Sequence, residues 1–159
     1  MIPKTLFVLI LLGISGCAAT GPKFQSLENS PADKALVYFY RPDKNIGRAQ
    51  PHEIVIDGEK RAVLKNAGYL KLELPPGSHQ IISQPSIVIA ALTPANKTAS
   101  ISLVTEPAKR YFIRLSINSY LGPGTGGASA TYYVVGNTLA SIPEELALGE
   151  ISELNYSQQ

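Results

Sequence analysis

The chain has 159 residues, enough for one ordinary domain and too few for two. Hydrophobic residues make up 45% and charged residues 16%, which excludes a disordered, charge-rich polymer. A net charge of +2 is too weakly basic to imply nucleic acid as a partner.

The first element is an address. Lys4 precedes the unbroken apolar run Leu6–Leu12, which is too short to span a bilayer as a helix and has the length of an export signal. Ile14, Ser15, Gly16 and Cys17 follow. This ending resembles the signal peptide of bacterial lipoproteins: aliphatic, small, Gly or Ala, then Cys. The resemblance implies cleavage before Cys17, a diacylglyceryl thioether on its sulfur, and further acylation of the new amino end. Ala18, where an Asp would favour retention at the inner membrane, implies the outer membrane, facing the periplasm. Cys17 is the only cysteine, so no disulfide is available to the mature domain.

Residues 18–33 are small, polar and broken by Gly21, Pro22 and Pro31. They read as a flexible tether spanning about 20–25 Å as coil, unless Phe24 and Leu27 dock on the domain and shorten it. The domain organisation is thus signal peptide 1–16, lipidated Cys17 and tether 17–33, and a folded domain 34–159.

From Lys34 the hydrophobic period is two. Strands are expected near 35–41, 53–57, 60–64, 68–74, 78–83, 98–105, 110–118 and 131–136. Residues 69–74 and 110–118 alternate as strands with one buried and one wet face, whereas 35–41 and 131–135 are apolar on both faces. Asp57-Gly58 predicts a tight hairpin, and Pro75-Pro76-Gly77 a second turn. The stretch 85–96 reads as either a strand or an apolar loop. Ser141 and Glu144 form a capping-box pattern for a short helix from Ile142 to about Leu148, with Gly149 as its stop. The expected fold is an all-β antiparallel sandwich of seven to eight short strands with a short C-terminal helix. Residues 115–159 hold four acids and no base, a charge of −4, against +5 for residues 17–114. The asymmetry predicts an acidic tail lying on a basic sheet face.

The strand "ALVYFYRPD" at 35–43, the Asp57-Gly58 hairpin, "GYLKLELPPGSH" at 68–79 and "KRYFIRL" at 109–115 resemble, in that order, a bacterial lipoprotein family catalogued only as a domain of unknown function. The likeness extends over about 34–145. The "DG … LPPG.H" portion is also similar to the small surface-layer β-domains named after the Pro-Glu-Gly-Ala motif. Both imply a transthyretin-like or immunoglobulin-like sandwich, and neither implies a catalytic residue.

Candidate chemistry is sparse. The Gly-rich stretch 121–130 lacks the lysine of a phosphate-binding loop. His52 and His79 are too few for a zinc site, and no metal or other cofactor is expected. Adjacent Ser78 and His79 point to opposite faces of a strand and form no nucleophile–base pair. Arg41 and His79 are the contacts open to a ligand or partner. For Arg41 the competing reading is stacking on Tyr38 or Tyr40, or pairing with Asp43. For His79 it is a hydrogen bond to backbone or a carboxylate. The tyrosines, Tyr38 and Tyr40 among them, read as core or as an aromatic binding face. The expected protein is therefore a non-enzymatic module, anchored to membrane lipid through Cys17, that holds an envelope protein or glycan. A cell-wall hydrolase or transferase and a hydrophobic-ligand carrier are the alternatives.

Overall fold

The computed structural model describes residues 18–86, 98–122 and 132–157, without the side chains of 120–122 and 132–135. The signal peptide, the cleavage motif and Cys17 lie outside the described residues, as do nearly all of 85–96, most of the Gly-rich loop and the side chains of Tyr132 and Tyr133.

Among the described residues the chain forms nine strands and one helix: β1 (Ala35–Arg41), β2 (His52–Ile56), β3 (Glu59–Leu64), β4 (Gly68–Leu74), β5 (Gly77–Pro85), β6 (Ala99–Thr105), β7 (Arg110–Gly122), β8 (Tyr132–Ser141), α1 (Glu144–Ile151) and β9 (Asn155–Tyr156). They build an all-β sandwich of a five-stranded sheet, β8-β7-β1-β4-β9, and a four-stranded sheet, β3-β2-β5-β6. Most ladders are antiparallel, but β1 runs parallel to β7 and β4 to β9. The parallel β1–β7 pair arises because the chain builds β5 and β6 in the other sheet before it returns to the first.

The turn chemistry is local. Asp57 and Gly58 both have positive φ, 53° and 87°, the conformation a two-residue hairpin between right-twisted strands requires. Pro75-Pro76 does not close a hairpin. Proline donates no ladder hydrogen bond, and here the chain leaves the five-stranded sheet for the four-stranded one.

Period-two alternation sorts each central strand into two cores. Val37 and Phe39 of β1, Leu70 and Leu74 of β4, and Ile113, Leu115 and Ile117 of β7 meet Ile54, Ile56, Leu64, Ile81 and Leu103 between the sheets. The even residues Leu36, Tyr38, Tyr40 and Phe112 face outward, yet they too are buried, under Ala147, Ile151, Leu154, Phe24 and Leu27. The second face expected to be wet for 69–74 and 110–118 is covered at Phe112 and partly at Tyr69, while Glu73 and Asn118 stay exposed. Tyr38 and Tyr40 are core and Tyr69 is partly buried beside them: Tyr38 stacks on Phe112 with centroids 5.2 Å apart, and Phe24 meets Tyr69 edge-on at 5.4 Å.

Part of that cover is the segment read as a tether. Lys23 bridges Asn155, and backbone bonds join Gly21 N to Tyr156 O at 3.0 Å, Phe24 N to Leu154 O at 2.9 Å and Tyr156 N to Pro22 O at 2.8 Å. Phe24 and Leu27 dock, as the alternative has it, because the apolar outer face of β1 and β4 offers them more than solvent does. The two-residue β9, with no sequence signal of its own, exists between this arm and β4.

The remaining cover is α1, which starts and stops differently from its sequence signals. Ser141 ends β8, where the ladder with Ile113 holds it extended, so Pro143 precedes the helix and no side chain caps it. Glu144 instead grips Arg110, with Nε to Oε2 at 3.2 Å and Nη2 to Oε1 at 2.9 Å. The helix runs through Gly149 to Ile151 because buried Ala147 and Ile151 hold that face on the sheet. Glu150 pairs with Arg114 and Glu153 with Lys23, so the acidic tail does lie on basic residues.

Candidate functional site

β1 ends at Arg41, but β7 continues to Gly122 although its pairing with β1 stops at Arg114. The notch left beyond β1 is closed on one side by loop 42–51 and on the other by α1. It forms a cleft of about 300 Å³ whose lining includes Arg41, Lys44, Arg114, Ser116, Asn118 and Glu150. Arg114, Ser116 and Asn118 are two apart on β7 and so share its outer face.

Arg41 is 1% exposed. Its guanidinium donates to Gln50 O and Gly47 O, both at 2.6 Å. Neither the tyrosine stack nor the Asp43 ion pair accounts for it; the side chain holds loop 42–51 closed. Burial drives its pKa down to about 10, against the pull of nearby Asp43, so it stays charged at neutral pH. The two bonds of this buried cation go to neutral carbonyls, so only the more distant Asp43 offsets its positive charge. Beside it, His52 is fully buried, bonds Ser83 Oγ through Nδ1 at 3.0 Å and has no partner on Nε2 among the described residues. Burial, then the charge of Arg41, lowers its pKa to about 4, so the ring is neutral.

Glu150 is fully engaged. Arg114 Nη1 donates to one oxygen at 2.8 Å and Tyr40 Oη to the other at 2.6 Å. Burial, then that bond to Glu150, raises the Tyr40 pKa well beyond the phenol range. Arg114 Nε is buried without a hydrogen-bond partner among the described residues.

Asn66 connects the cleft to the start of the arm. It is fully buried, its carbonyl accepts Ala19 N at 3.0 Å, its Oδ1 accepts Lys44 N at 3.3 Å, and its Nδ2 donates to Asp43 at 2.5 Å. Gly68 next to it admits no side chain: a Cβ there would lie 2.9 Å from Lys65 O and 3.0 Å from Ala19 Cβ.

His79 lies at the opposite end of the four-stranded sheet, beyond the Ile56–Ile81 pair, whereas His52 sits opposite Pro85. Its Nδ1 faces Asp57 Oδ2 at 2.6 Å and its Nε2 faces Pro75 O at 2.9 Å. Two acceptors on one ring call for the doubly protonated imidazolium. Burial alone would lower the His79 pKa; the bonds to Asp57 and Pro75 outweigh it, and the pKa rises. His79 thus ties the β2–β3 turn to the corner between the sheets, and its ring has no nitrogen left for a ligand.

Of the two contacts read from the sequence, Arg41 lines the cleft with both its bonds committed and His79 lies elsewhere. Lys44, Asn66 and Arg114 were missed. Arg114 was legible only as an outward residue of β7 and the last base before the acidic tail. Among the described residues no three His, Cys, Asp or Glu gather as a metal site, and no helix is long and apolar enough to cross a membrane.

Residues 31–128, more than half of the chain, match the family described as "Protein of unknown function (DUF2846)". The match begins close to the expected start of the domain and stops before β8 and α1. No curated protein and no solved structure matches the chain.

Proposed function

We propose that this chain, which belongs to the DUF2846 family, is a bacterial envelope lipoprotein held by acyl chains on Cys17 at the outer membrane, facing the periplasm, with its sandwich serving as a non-catalytic interaction module for a protein or glycan partner. The observation that carries this reading is the docked arm. Ala18, one residue after Cys17, bridges Asn66, and the arm then runs along β9. A lipid on Cys17 therefore holds one end of the sandwich against the bilayer instead of letting it drift on a coil. Each buried CH₂ contributes about 0.8 kcal/mol, so two or more chains anchor firmly. The orientation leaves the outer face of the four-stranded sheet for a partner. There Ser100, Ser102 and Val104 of β6 are exposed, Val104 by 67%.

The test has two parts. In cells fed a clickable palmitate, the parent chain takes the label and sediments with membranes; Cys17→Ser loses the label and becomes soluble. Identical labelling and partitioning of the two would reject the anchor. A photocrosslinker at Val104 in intact cells captures a reproducible protein or glycan, and recovery of lipid alone would reject the interaction module.

A further inference from the structure

We propose that the cleft beyond the end of β1 is an anion site that takes a phosphate group. Arg41, Lys44 and Arg114 place three cations on its wall against one lining carboxylate, Glu150, with Asp43 behind Arg41. Both oxygens of that carboxylate already accept hydrogen bonds, which weakens its repulsion of an anion. Arg114 Nε is a buried donor with no acceptor among the described residues, and an anion that turns this guanidinium toward the cleft would supply one. An unmet buried donor is unfavourable, and a phosphate oxygen is an acceptor whose charge and geometry suit an arginine fork. Ser116 and Asn118, on the same face of β7, add neutral donors. Lys44 is exposed at the rim and supplies a mobile charge, while buried Arg41 supplies a fixed one.

Two sources share this chemistry, a lipid headgroup and free phosphate. The location favours the headgroup, an argument that rests on the anchor proposed above. Asn66 accepts from Lys44 N at the cleft's rim and from Ala19 N at the start of the arm, so the cleft opens beside the anchored end. The cleft is also larger than a single phosphate needs, leaving room for what a headgroup phosphate is esterified to.

The test follows the Nε–H resonance of Arg114 by NMR in the full chain as purified from cells, in neutral sugar-detergent micelles free of phosphate. One arm adds inorganic phosphate; the other dopes the micelles with phosphatidylglycerol. The site predicts a saturable shift of that resonance in at least one arm. Lys44→Glu, a substitution at an exposed side chain, should weaken the response about tenfold or more while the melting temperature stays put. A shift with phosphatidylglycerol alone assigns the headgroup as ligand; a shift with inorganic phosphate alone assigns the free ion. No shift in either arm, or equal binding by Lys44→Glu and the parent, overturns the site. The phosphate arm reads out whether or not Cys17 carries lipid, so failure of the anchor and failure of the site are distinguishable.

Discussion

The two sheets of this sandwich are built from similar strands and meet different fates. β1, at the centre of the five-stranded sheet, is buried at every residue, whereas β6 buries Ala99, Leu103 and Thr105 and exposes Ser100, Ser102 and Val104. Both share the core between the sheets; among the described residues only the five-stranded sheet has a second one, made by segments from the two ends of the described chain. The contrast shows what the arm and α1 do. They convert a sheet face carrying Leu36, Tyr38, Tyr40 and Phe112 from an aggregation hazard into an interior.

If the contrast is right, substitutions should grade by layer. Phe39→Ala, in the core shared by both sheets, should destabilise by about 3–5 kcal/mol in urea unfolding, while Val104→Ala on the open face changes stability by less than about 0.5 kcal/mol. Phe24→Ala, in the half-buried arm, should lose about 1–2 kcal/mol and render residues 20–30 sensitive to protease with the sandwich still folded. Cleavage no faster than in the parent would show that the arm does not depend on this ring. Gly149→Ala should add about 0.5–1 kcal/mol, since Gly149 lies within α1 and a Cβ there meets nothing within 4 Å.

The smallest effect concerns the four-stranded sheet. The His79–Asp57 pair has one partner half exposed, so water screens it. The raised pKa of His79 means its contribution is complete below the unfolded value of about 6.5 and is lost as pH rises through the folded value. Asp57, whose pKa is lowered chiefly by the bond to His79, contributes above its unfolded value of 3.8 and loses this as pH falls through the folded value. The melting-temperature advantage of the parent over His79→Gln should therefore be largest near about pH 5.5 and shrink by about pH 9. A constant difference across that range contradicts the imidazolium reading.

The fold was legible wherever one short-range rule decided it. The alternation of 69–74 and 110–118 and the Asp57-Gly58 pair gave strands and a hairpin at nearly their observed positions. The acidic tail gave its own docking site through charge. Legibility ended where an element exists only because another covers it. Residues 18–33 have the composition of a coil, and nothing local reveals that Phe24 fits against Tyr69. Gly149 reads as a stop because the signal omits the burial of Ile151, which outweighs it. The cleft was least legible of all, since it arises from the unequal ends of β1 and β7, and Asn66 acts through three long-range bonds that no spacing encodes.

The central claim is that the arm is part of the folded body. Native-state hydrogen exchange at the amides of Gly21, Phe24 and Tyr156 tests it most directly, because each donates one of the bonds that join arm to sandwich. The account predicts exchange slowed by orders of magnitude relative to an unstructured peptide, and for Gly21 and Phe24 an increase in rate on Phe24→Ala that amides of β1 do not share. Exchange of Gly21 and Phe24 at the rate of free coil in the parent protein would contradict it, and would return residues 18–33 to the role of a tether.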